Sequence, residues 1–296
     1  MDLLALKETL ENNALGRGVL TAASKLYGAG AWLHRSLYQH GWKTAQSVNS
    51  RVVCIGNLTA GGTGKTTTVL LAATTLAKQG TRVAIVSRGY KRQQKSDGPI
   101  ILFDNPDADW RLAGDEPFMI SRVLSKMQVP IVIANKRVDA ANEALRRFKS
   151  QIILLDDGLQ HFSLKRDANI VLVDAKNPFG NKELLPAGIL REPLSGLKRA
   201  DLVILTHCDQ VSARQLEDVR DQVRMYNYTV EMLESDHRPE YYVNICTTKQ
   251  VPLSEIKGPV ACFCALGHPE SFERTLKDLG LLLRQKWRFP DHHYYT

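Results

Sequence analysis

The sequence predicts an α/β protein with a mostly parallel sheet, helices on both of its faces, and a smaller α/β domain after it. Short, unbroken runs of β-branched and other apolar residues alternate with helical stretches, which is typical of strands buried on both faces of a parallel sheet. A glycine-rich turn also joins the first of these runs directly to a helix. These two observations define the fold class.

Length and composition narrow the function classes. The chain has 296 residues, which suggests about two domains, and its 44% hydrophobic content excludes bulk disorder. Lys and Arg outnumber Asp and Glu by 39 to 31, so the net charge of +8 favours nucleic acid, a phosphorylated substrate or an acidic membrane surface as partner. The five cysteines lack zinc-ligand spacing, and no apolar run is long enough to span a bilayer. We therefore expect a cytosolic protein, or one on a membrane facing the cytosol.

Residues 1–50 are predicted to be a basic, aromatic helical region. No Asp or Glu occurs from Asn12 to Arg51, whereas this stretch carries five cations together with two tyrosines and two tryptophans. Cations and amphipathic rings suit a helix at a membrane surface. The alternative is a helix that packs on its own domain with a solvated basic face.

Residues 51–210 are predicted to form the main sheet domain. The expected strands are Arg51–Gly56, Arg82–Ser87, Pro130–Asn135, Ile152–Asp156, Ile170–Asp174 and Leu202–Thr206. The expected helices follow the glycine-rich turn as far as Gln79 and cover Glu116–Met127 and Val138–Lys149.

Residues 211–296 are predicted to form the smaller domain. A polar helix over Ala213–Tyr226 precedes an antiparallel pair, Tyr241–Thr247 with Gln250–Leu253. A strand, a helix and a strand follow at Pro259–Leu266, Glu270–Gly280 and Leu282–Arg288.

The segment Gly61-Gly62-Thr63-Gly64-Lys65-Thr66 lies between a strand and a helix, as in a phosphate-binding loop. Its backbone N–H groups and the helix N-terminus would bind phosphate oxygens, with Lys65 at the β- and γ-phosphates and the Thr66 hydroxyl on Mg²⁺. The full motif has Gly where this chain has Thr59. The context nevertheless predicts a nucleotide site, which includes Thr67.

Carboxylates follow two of the predicted elements. Asp156 and Asp157 end an apolar strand, where a carboxylate can hold the metal of a bound nucleotide. Asp115 and Glu116 begin a helix, and they could simply cap it. Near a bound nucleotide, Asp115 could instead accept a proton from a hydroxyl, and Glu116 could reach the metal. Arg88 belongs to a cationic turn after the second strand that suits an anionic substrate. Because no intact Asn-Lys-x-Asp element is present, GTP is disfavoured.

Taken together, these motifs resemble the tetraacyldisaccharide 4′-kinase family of the lipid A pathway. The matching segments are Gly56–Thr59, Gly61–Thr66, Ser87–Tyr90, Gly114–Pro117, Asp156–His161, Gly180-Asn181, Leu185–Pro193, Gly267–Pro269 and Asp291-His292. The resemblance implies ATP-dependent phosphorylation of the 4′-hydroxyl of tetraacyldisaccharide 1-phosphate to give lipid IVA, with Mg²⁺ as cofactor. It also implies a peripheral enzyme on the cytoplasmic face of the bacterial inner membrane.

The resemblance also assigns expected roles to residues. It implies a catalytic base at Asp115 with His292 as its imidazole partner, beside Lys65. The substrate contacts expected with it are Asn57, Arg88, Gln160, His161, Arg191 and Glu192. The expected metal ligands are Thr66, Glu116, Asp156 and Asp157. The expected partners are the glycolipid and an anionic membrane surface, with neither nucleic acid nor an obligate protein partner.

Two other functions stay open at this point. One is a soluble phosphate-loop kinase for a small hydrophilic metabolite, and the other is an ATPase whose nucleotide state regulates a binding partner. Members of the family continue past their Asp-His motif, whereas this chain ends at Thr296. We therefore expect the smaller domain to be incomplete relative to the family.

Overall fold

A computed structural model describes residues 10, 12–89, 92, 98–103, 109–266, 269–290 and 293. The chain divides into two compact units, Met1–Ser235 and Asp236–Thr296. The first unit is built on one large sheet, and the second contains two small sheets. The beginning of the predicted N-terminal helix, the residues Tyr90 and Lys91 of the cationic turn, and His292 lie outside the described residues.

The described strands of the first unit form an eight-stranded sheet in the order β3-β4-β2-β5-β1-β6-β7-β8. β3 is antiparallel to β4 and the other pairs are parallel. The strands are β1 (Arg51–Asn57), β2 (Val83–Ser87), β3 (Ile100–Leu102), β4 (Ile131–Ile133), β5 (Ile152–Asp156), β6 (Ala168–Asp174), β7 (Leu202–Thr206) and β8 (Glu231–Ser235). The predicted fold class is confirmed.

Helices cover both faces of this sheet. They are α1 (Ala14–Gln39), α2 (Lys65–Lys78), α3 (Trp110–Ala113), α4 (Asp115–Leu124), α5 (Arg137–Phe148) and α6 (Ala213–Arg224). One hydrophobic core lies under α5 and α6, and a second lies under α2 and α4. Alternate β5 residues enter opposite cores, with Ile153 and Leu155 in the first and Leu154 in the second. Each core strand is therefore buried on both sides, which explains its unbroken apolar sequence.

The N-terminal helix α1 is anchored to the first unit along one side. Its hydroxyl groups reach a distant loop: Ser24 donates to the carbonyl of Leu184 at 2.9 Å, and Tyr27 donates to the carbonyl of Arg191 at 2.8 Å. The opposite side of the helix exposes an apolar stripe, which we define as Leu15, Val19, Leu26 and Leu33. None of the helices in the described ranges is long and apolar enough to cross a membrane.

The second unit contains β9 (Tyr241–Val243), β10 (Gln250–Pro252), β11 (Pro259–Cys264), α7 (Pro269–Asp278) and β12 (Leu282–Arg288). β9 and β10 form the expected antiparallel pair, and β11 pairs with β12 in parallel. Cys262 and Cys264 are buried while Phe263 between them is exposed, so both thiols face one side of the strand. The buried Glu273 is held by Lys286 at 3.1 Å and Arg288 at 2.7 Å.

The boundary between the units differs from the predicted position near residue 210. The first unit extends to Ser235 because α6 buries Leu216, Val219 and Val223 in its core and β8 pairs with β7. The expected 51–210 core is therefore extended by one helix and one strand, and α1 belongs to the same unit. The sequence also did not predict β3, α3 or β8.

Candidate active site

Three central strands deliver polar side chains to one edge of the sheet. β2, β5 and β1 are neighbours, and they end at Ser87, Asp156 and Asn57. All three residues are buried, and the Ser87 hydroxyl donates to the Asp156 carboxylate at 3.3 Å. Ligands of open parallel sheets bind at this edge.

The glycine-rich turn after β1 is a phosphate-binding loop in structure as well as in sequence. It ends at Gly64, whose φ of 80° lies in the left-handed region that glycine tolerates. Lys65 is the first residue of α2, so the loop runs directly into a helix N-terminus. Gly61, Gly62 and Thr63 lie in this loop, and Thr66 and Thr67 lie in the first turn of α2. Their contact with a nucleotide stays a prediction. The helix end supplies unpaired N–H groups and partial positive charge for an anion.

The buried Asn57 amide organises this loop. Its nitrogen donates to the Thr63 hydroxyl at 2.8 Å, and its oxygen accepts from the Lys65 ammonium group at 3.2 Å. The described bonds of the Asn57 side chain are with Thr59, Thr63 and Lys65, and its predicted contact with substrate stays a prediction. Burial lowers the pKa of Lys65, and the Asp157 carboxylate opposes that shift.

Thr59 stands where the common motif has glycine, and the structure gives the reason. The chain at this point pairs with the loop that ends near Arg191: Ala60 N–H donates to the carbonyl of Ile189 and Arg191 N–H donates to the carbonyl of Leu58, each at 2.7 Å. Thr59 itself forms an antiparallel bridge with Leu190. Since extended backbone accepts any side chain, glycine is not required there.

The two carboxylates after β5 differ in environment. Asp156 is buried, and burial, with the Asp157 and Glu116 charges, raises its pKa to about 7. Asp157 accepts from one terminal nitrogen of Arg191 at 2.8 and 2.7 Å, and its carboxylate lies 3.9 Å from Lys65 Nζ. Burial works to raise the pKa of Asp157, but the positive charges of Lys65 and Arg191 outweigh it and lower that pKa.

Asp115 and Glu116 begin α4, as predicted. Glu116 is close enough to Lys65 and Asp156 to shift both of their pKa values. The Asp115 carboxylate is exposed and accepts from the Glu116 N–H at 2.9 Å. Glu116 is therefore close to the charged groups Lys65 and Asp156, whereas the Asp115 carboxylate faces solvent.

The predicted metal ligands fit a nucleotide-bound Mg²⁺. No group of three or more His, Cys, Asp or Glu side chains in the described part of the chain could hold a metal by itself. Mg²⁺ needs fewer protein ligands, because it keeps waters and is held by one or two carboxylates together with substrate phosphates. Asp157 and Glu116 each repel the Asp156 carboxylate near Lys65, and a cation would relieve that repulsion.

Sequence reasoning missed Arg137, at the start of α5. The residue is 7% exposed, and its guanidinium interacts electrostatically with Asp156 and Asp157. Burial, followed by the Arg88 charge, lowers its pKa to about 10. Its position directly after the turn that follows β4 is the available sequence signal, because β4 ends at the same sheet edge as β2.

A cavity of about 450 Å³ opens between α1 and the loop that holds Arg191. Its walls carry aromatic and cationic side chains beside polar groups of the site. The lining includes Tyr27, Gln160, Phe162, Arg191 and Glu192. Gln160 donates from one amide nitrogen to the carbonyl of Asn57 at 2.9 Å and to Glu192 at 2.8 Å, so this wall is bonded to the residue that holds the phosphate loop.

Two other predicted residues lie at the margin of the site. His161 bonds the Ser163 hydroxyl through Nε2 at 2.7 Å, and burial, followed by the Arg137 charge, lowers the His161 pKa to about 4. Arg88 is exposed after β2, and its charge acts on Arg137 and His161. The expected pairing of Asp115 with His292 stays a prediction, because His292 lies outside the described residues.

Comparison with known proteins identifies the family. The family model for tetraacyldisaccharide-1-P 4′-kinase, LpxK, matches residues 17–296. The tetraacyldisaccharide 4′-kinase of Elusimicrobium minutum is 57% identical over 297 residues, covering 100% of this chain and 79% of that protein. The enzyme of the same name from Halothermothrix orenii is 38% identical, covering 94% and 74%.

A solved structure agrees with these sequence matches. LpxK from Aquifex aeolicus, crystallised in complex with ATP, has a TM-score of 0.71 and 31% identity, covering 94% of this chain and 82% of that one. The resemblance expected from the motifs is confirmed. The chain belongs to the tetraacyldisaccharide 4′-kinase family.

Proposed function

We propose that this chain transfers the γ-phosphoryl group of ATP to the 4′-hydroxyl of tetraacyldisaccharide 1-phosphate, giving lipid IVA. The observation that carries the proposal is the direct connection between the phosphate loop and the cavity wall. Residues 58–60 pair with residues 189–191, and Arg191 of that wall holds Asp157 beside Lys65. A nucleotide and an acceptor would therefore meet at the same carboxylates.

The nucleotide side of the site is built for phosphate charge. The N–H groups at the start of α2 would bind phosphate oxygens, and Lys65, held by Asn57, would lie at the β- and γ-phosphates. Arg137 is a further buried cation close to the same carboxylates. Phosphoryl transfer depends mainly on positioning and on neutralising charge, which is what these cations provide.

Mg²⁺ bound with ATP would neutralise the phosphate oxygens, and Thr66, Asp156, Asp157 and Glu116 are the residues available to hold it. The positive charges of Lys65 and Arg191 keep the Asp157 carboxylate ionised, which is the form that binds a metal ion. Asp156 is held in place by Ser87.

Asp115 is the proposed base for the acceptor hydroxyl. It lies at the N-terminus of α4, next to Glu116, whose charge reaches Lys65 and Asp156. An exposed carboxylate at that position can accept the hydroxyl proton as the phosphoryl group is transferred. His292 is proposed as its imidazole partner on the basis of the family motif.

The acceptor is proposed to enter the cavity beside α1. Tyr27 and Phe162 provide apolar surface, while Gln160 and Arg191 provide polar contacts on the side of the phosphate loop. A sugar that carries acyl chains and a phosphate needs both kinds of surface. Glu192 is buried and its carboxylate accepts from Gln160, so it fixes the position of that amide in the cavity wall.

We also propose that α1 holds the protein on the cytoplasmic face of the bacterial inner membrane. The apolar stripe exposes Leu15 by 86% and Leu26 by 77%. The helix contains Arg17, Lys25 and Arg35 and no acidic residue. An amphipathic helix of this kind binds an anionic lipid surface through buried apolar area and charge.

The test uses the full chain, γ-labelled ATP, Mg²⁺ and tetraacyldisaccharide 1-phosphate in detergent micelles. We expect a labelled glycolipid whose new phosphate is on the 4′-hydroxyl. Lys65→Met should reduce the rate by about 10²–10³-fold, as for loss of one charge-stabilising donor, while Lys78→Met at the other end of α2 should not. Labelling of a water-soluble acceptor alone, or ATP hydrolysis without labelled glycolipid, would contradict the proposal.

A further inference from the structure

Arg199 lies behind the cavity wall, in the short 3₁₀ segment Leu194–Arg199. One terminal nitrogen of its guanidinium donates to both carboxylate oxygens of Glu192, at 2.8 and 2.7 Å. The two side chains are 17% and 6% exposed, so the pair is largely removed from water. A buried carboxylate in such a place is stable only when a cation of good geometry accompanies it.

Glu192, held by Arg199, is in turn hydrogen-bonded to residues of the site. Its carboxylate also accepts from the Gln160 amide nitrogen, which donates in addition to the carbonyl of Asn57. Asn57 in turn holds Thr63 and Lys65. Arg199 is therefore the first member of a chain of hydrogen bonds that ends at the phosphate loop.

A second contact connects Arg199 to the same wall. Its guanidinium lies 5.3 Å from the centre of the Phe162 ring, and Arg166 lies 5.4 Å from that ring. Phe162, Gln160 and Glu192 all line the cavity. Arg199 thus fixes one aromatic and two polar members of the wall from outside the cavity.

The local backbone is shaped for this arrangement. Gly196 lies in the same 3₁₀ segment, and a Cβ atom there would come within 2.7 Å of a Glu192 carboxylate oxygen and 2.5 Å of Leu58. Only a residue without a side chain lets the segment approach Glu192 so closely. The close approach keeps Arg199 within reach of that carboxylate.

We infer that Arg199 is a positioning residue for the acceptor: it orients Glu192, and through it Gln160, so that the cavity wall stays in register with the phosphate loop. The inference rests on the proposed function only in taking the cavity as the acceptor site. In this arrangement Arg199 itself would contact neither ATP nor the acceptor. Its effect should therefore fall on the acceptor and leave nucleotide binding intact.

The experiment measures the steady-state kinetics of glycolipid phosphorylation and the Kd for ATP, on full-length protein whose folding is checked by circular dichroism. For Arg199→Met we expect kcat/KM for the glycolipid to fall about tenfold or more, with the Kd for ATP within about twofold of wild type. Arg199→Lys should recover part of the loss, because the charge remains while the planar guanidinium over the Phe162 ring does not. Arg146→Met removes a comparable pair with Glu143 on the exposed side of α5 and should change neither quantity.

A second variant distinguishes loss of the Glu192 orientation from the cost of leaving the Glu192 charge unpaired. It also provides a test if Arg199→Met does not fold. Glu192→Gln combined with Arg199→Met removes both charges of this buried pair, and the amide oxygen of the new glutamine can still accept from Gln160. We expect this double variant to keep the low kcat/KM. Recovery to within twofold of wild type, or a parallel loss of ATP binding, would overturn the inference. A wild-type protein that labels no glycolipid would instead count against the proposed function.

Discussion

One terminal nitrogen of Arg191 donates to both carboxylate oxygens of Asp157, at 2.8 and 2.7 Å. Asp157 follows β5 and lies 3.9 Å from Lys65, whereas Arg191 belongs to the wall of the cavity beside α1. The carbonyl of Arg191 also accepts from Tyr27 of that helix. One ion pair therefore joins the nucleotide side of the site to the acceptor side and to the N-terminal helix.

Replacing Arg191 should damage catalysis more than folding. The ion pair holds Asp157 beside Lys65, and misplacing a group at the reaction site costs up to about 100-fold in rate, so Arg191→Met should lower kcat for glycolipid phosphorylation by about 10–100-fold. Arg191→Lys should give a smaller loss. Arg224→Met, which removes a surface pair with Glu217 on α6, is the control. A wild-type kcat in Arg191→Met would exclude a role for this ion pair in the reaction.

Asp115 should matter for the rate and not for nucleotide affinity. Asp115→Asn removes the proposed proton acceptor with little change in shape, and general bases contribute about 10²–10⁴-fold. We expect kcat to fall within that range while the Kd for ATP stays within about twofold. Asp139→Asn, in the first turn of α5, is a matched substitution that should be neutral. If Asp115→Asn kept its kcat, the base would have to be sought elsewhere.

The sequence predicted most of the first unit because its signals are local. β5 and β7 were predicted with their observed bounds, since each is a continuous apolar run between polar residues. β8 was missed because its sequence, Glu-Met-Leu-Glu-Ser, carries charges that an edge strand tolerates and a buried strand does not. Because β8 was missed, the boundary between the two domains was predicted near residue 210 instead of after Ser235.

The site was predictable only in part, because only some of its contacts have a local signal in the sequence. The phosphate loop and the Asp156-Asp157 pair are contiguous motifs, so their meeting at one sheet edge follows from the fold. The bonds from Gln160 to Glu192 and from Tyr27 to Arg191 join residues far apart in sequence. No local pattern specifies such pairs. They depend on how the loops pack after the sheet has formed.

The apolar stripe of α1 should control membrane binding. Its exposed leucines make no part of the site, whereas Ser24 and Tyr27 on the other side hold the cavity loop. Replacing Leu15 and Leu26 by Glu is therefore a cleaner test than deleting the helix. Each buried leucine is worth about 1.5–3 kcal/mol, so binding to phosphatidylglycerol vesicles in a sedimentation assay should weaken at least tenfold.

A matched control uses another exposed leucine. Leu71 of α2 is 67% exposed and lies outside the stripe, so Leu71→Glu should leave vesicle binding unchanged. If the double variant sedimented with vesicles as well as wild type does, α1 would not be the membrane-binding element.

His161 should make the stability of the first unit depend on pH. Burial, followed by the positive charges of Arg137 and Arg166, lowers its pKa to about 4 from the ordinary 6.5. Between those two values the unfolded chain binds a proton that the native protein does not, so the free energy of unfolding falls as the pH drops from 6.5 to 4. His161→Gln, which cannot be protonated, should lose less stability over the same interval.

The imidazole is part exposed, so solvent screening reduces the effect to about 1 kcal/mol near pH 5. Urea unfolding at about pH 7.5 and pH 5, on wild type and His161→Gln, measures the difference directly. His40→Gln, at the exposed end of α1, is the matched control. Equal losses of stability in wild type and His161→Gln on acidification would mean that the native imidazole takes up its proton as readily as the unfolded one.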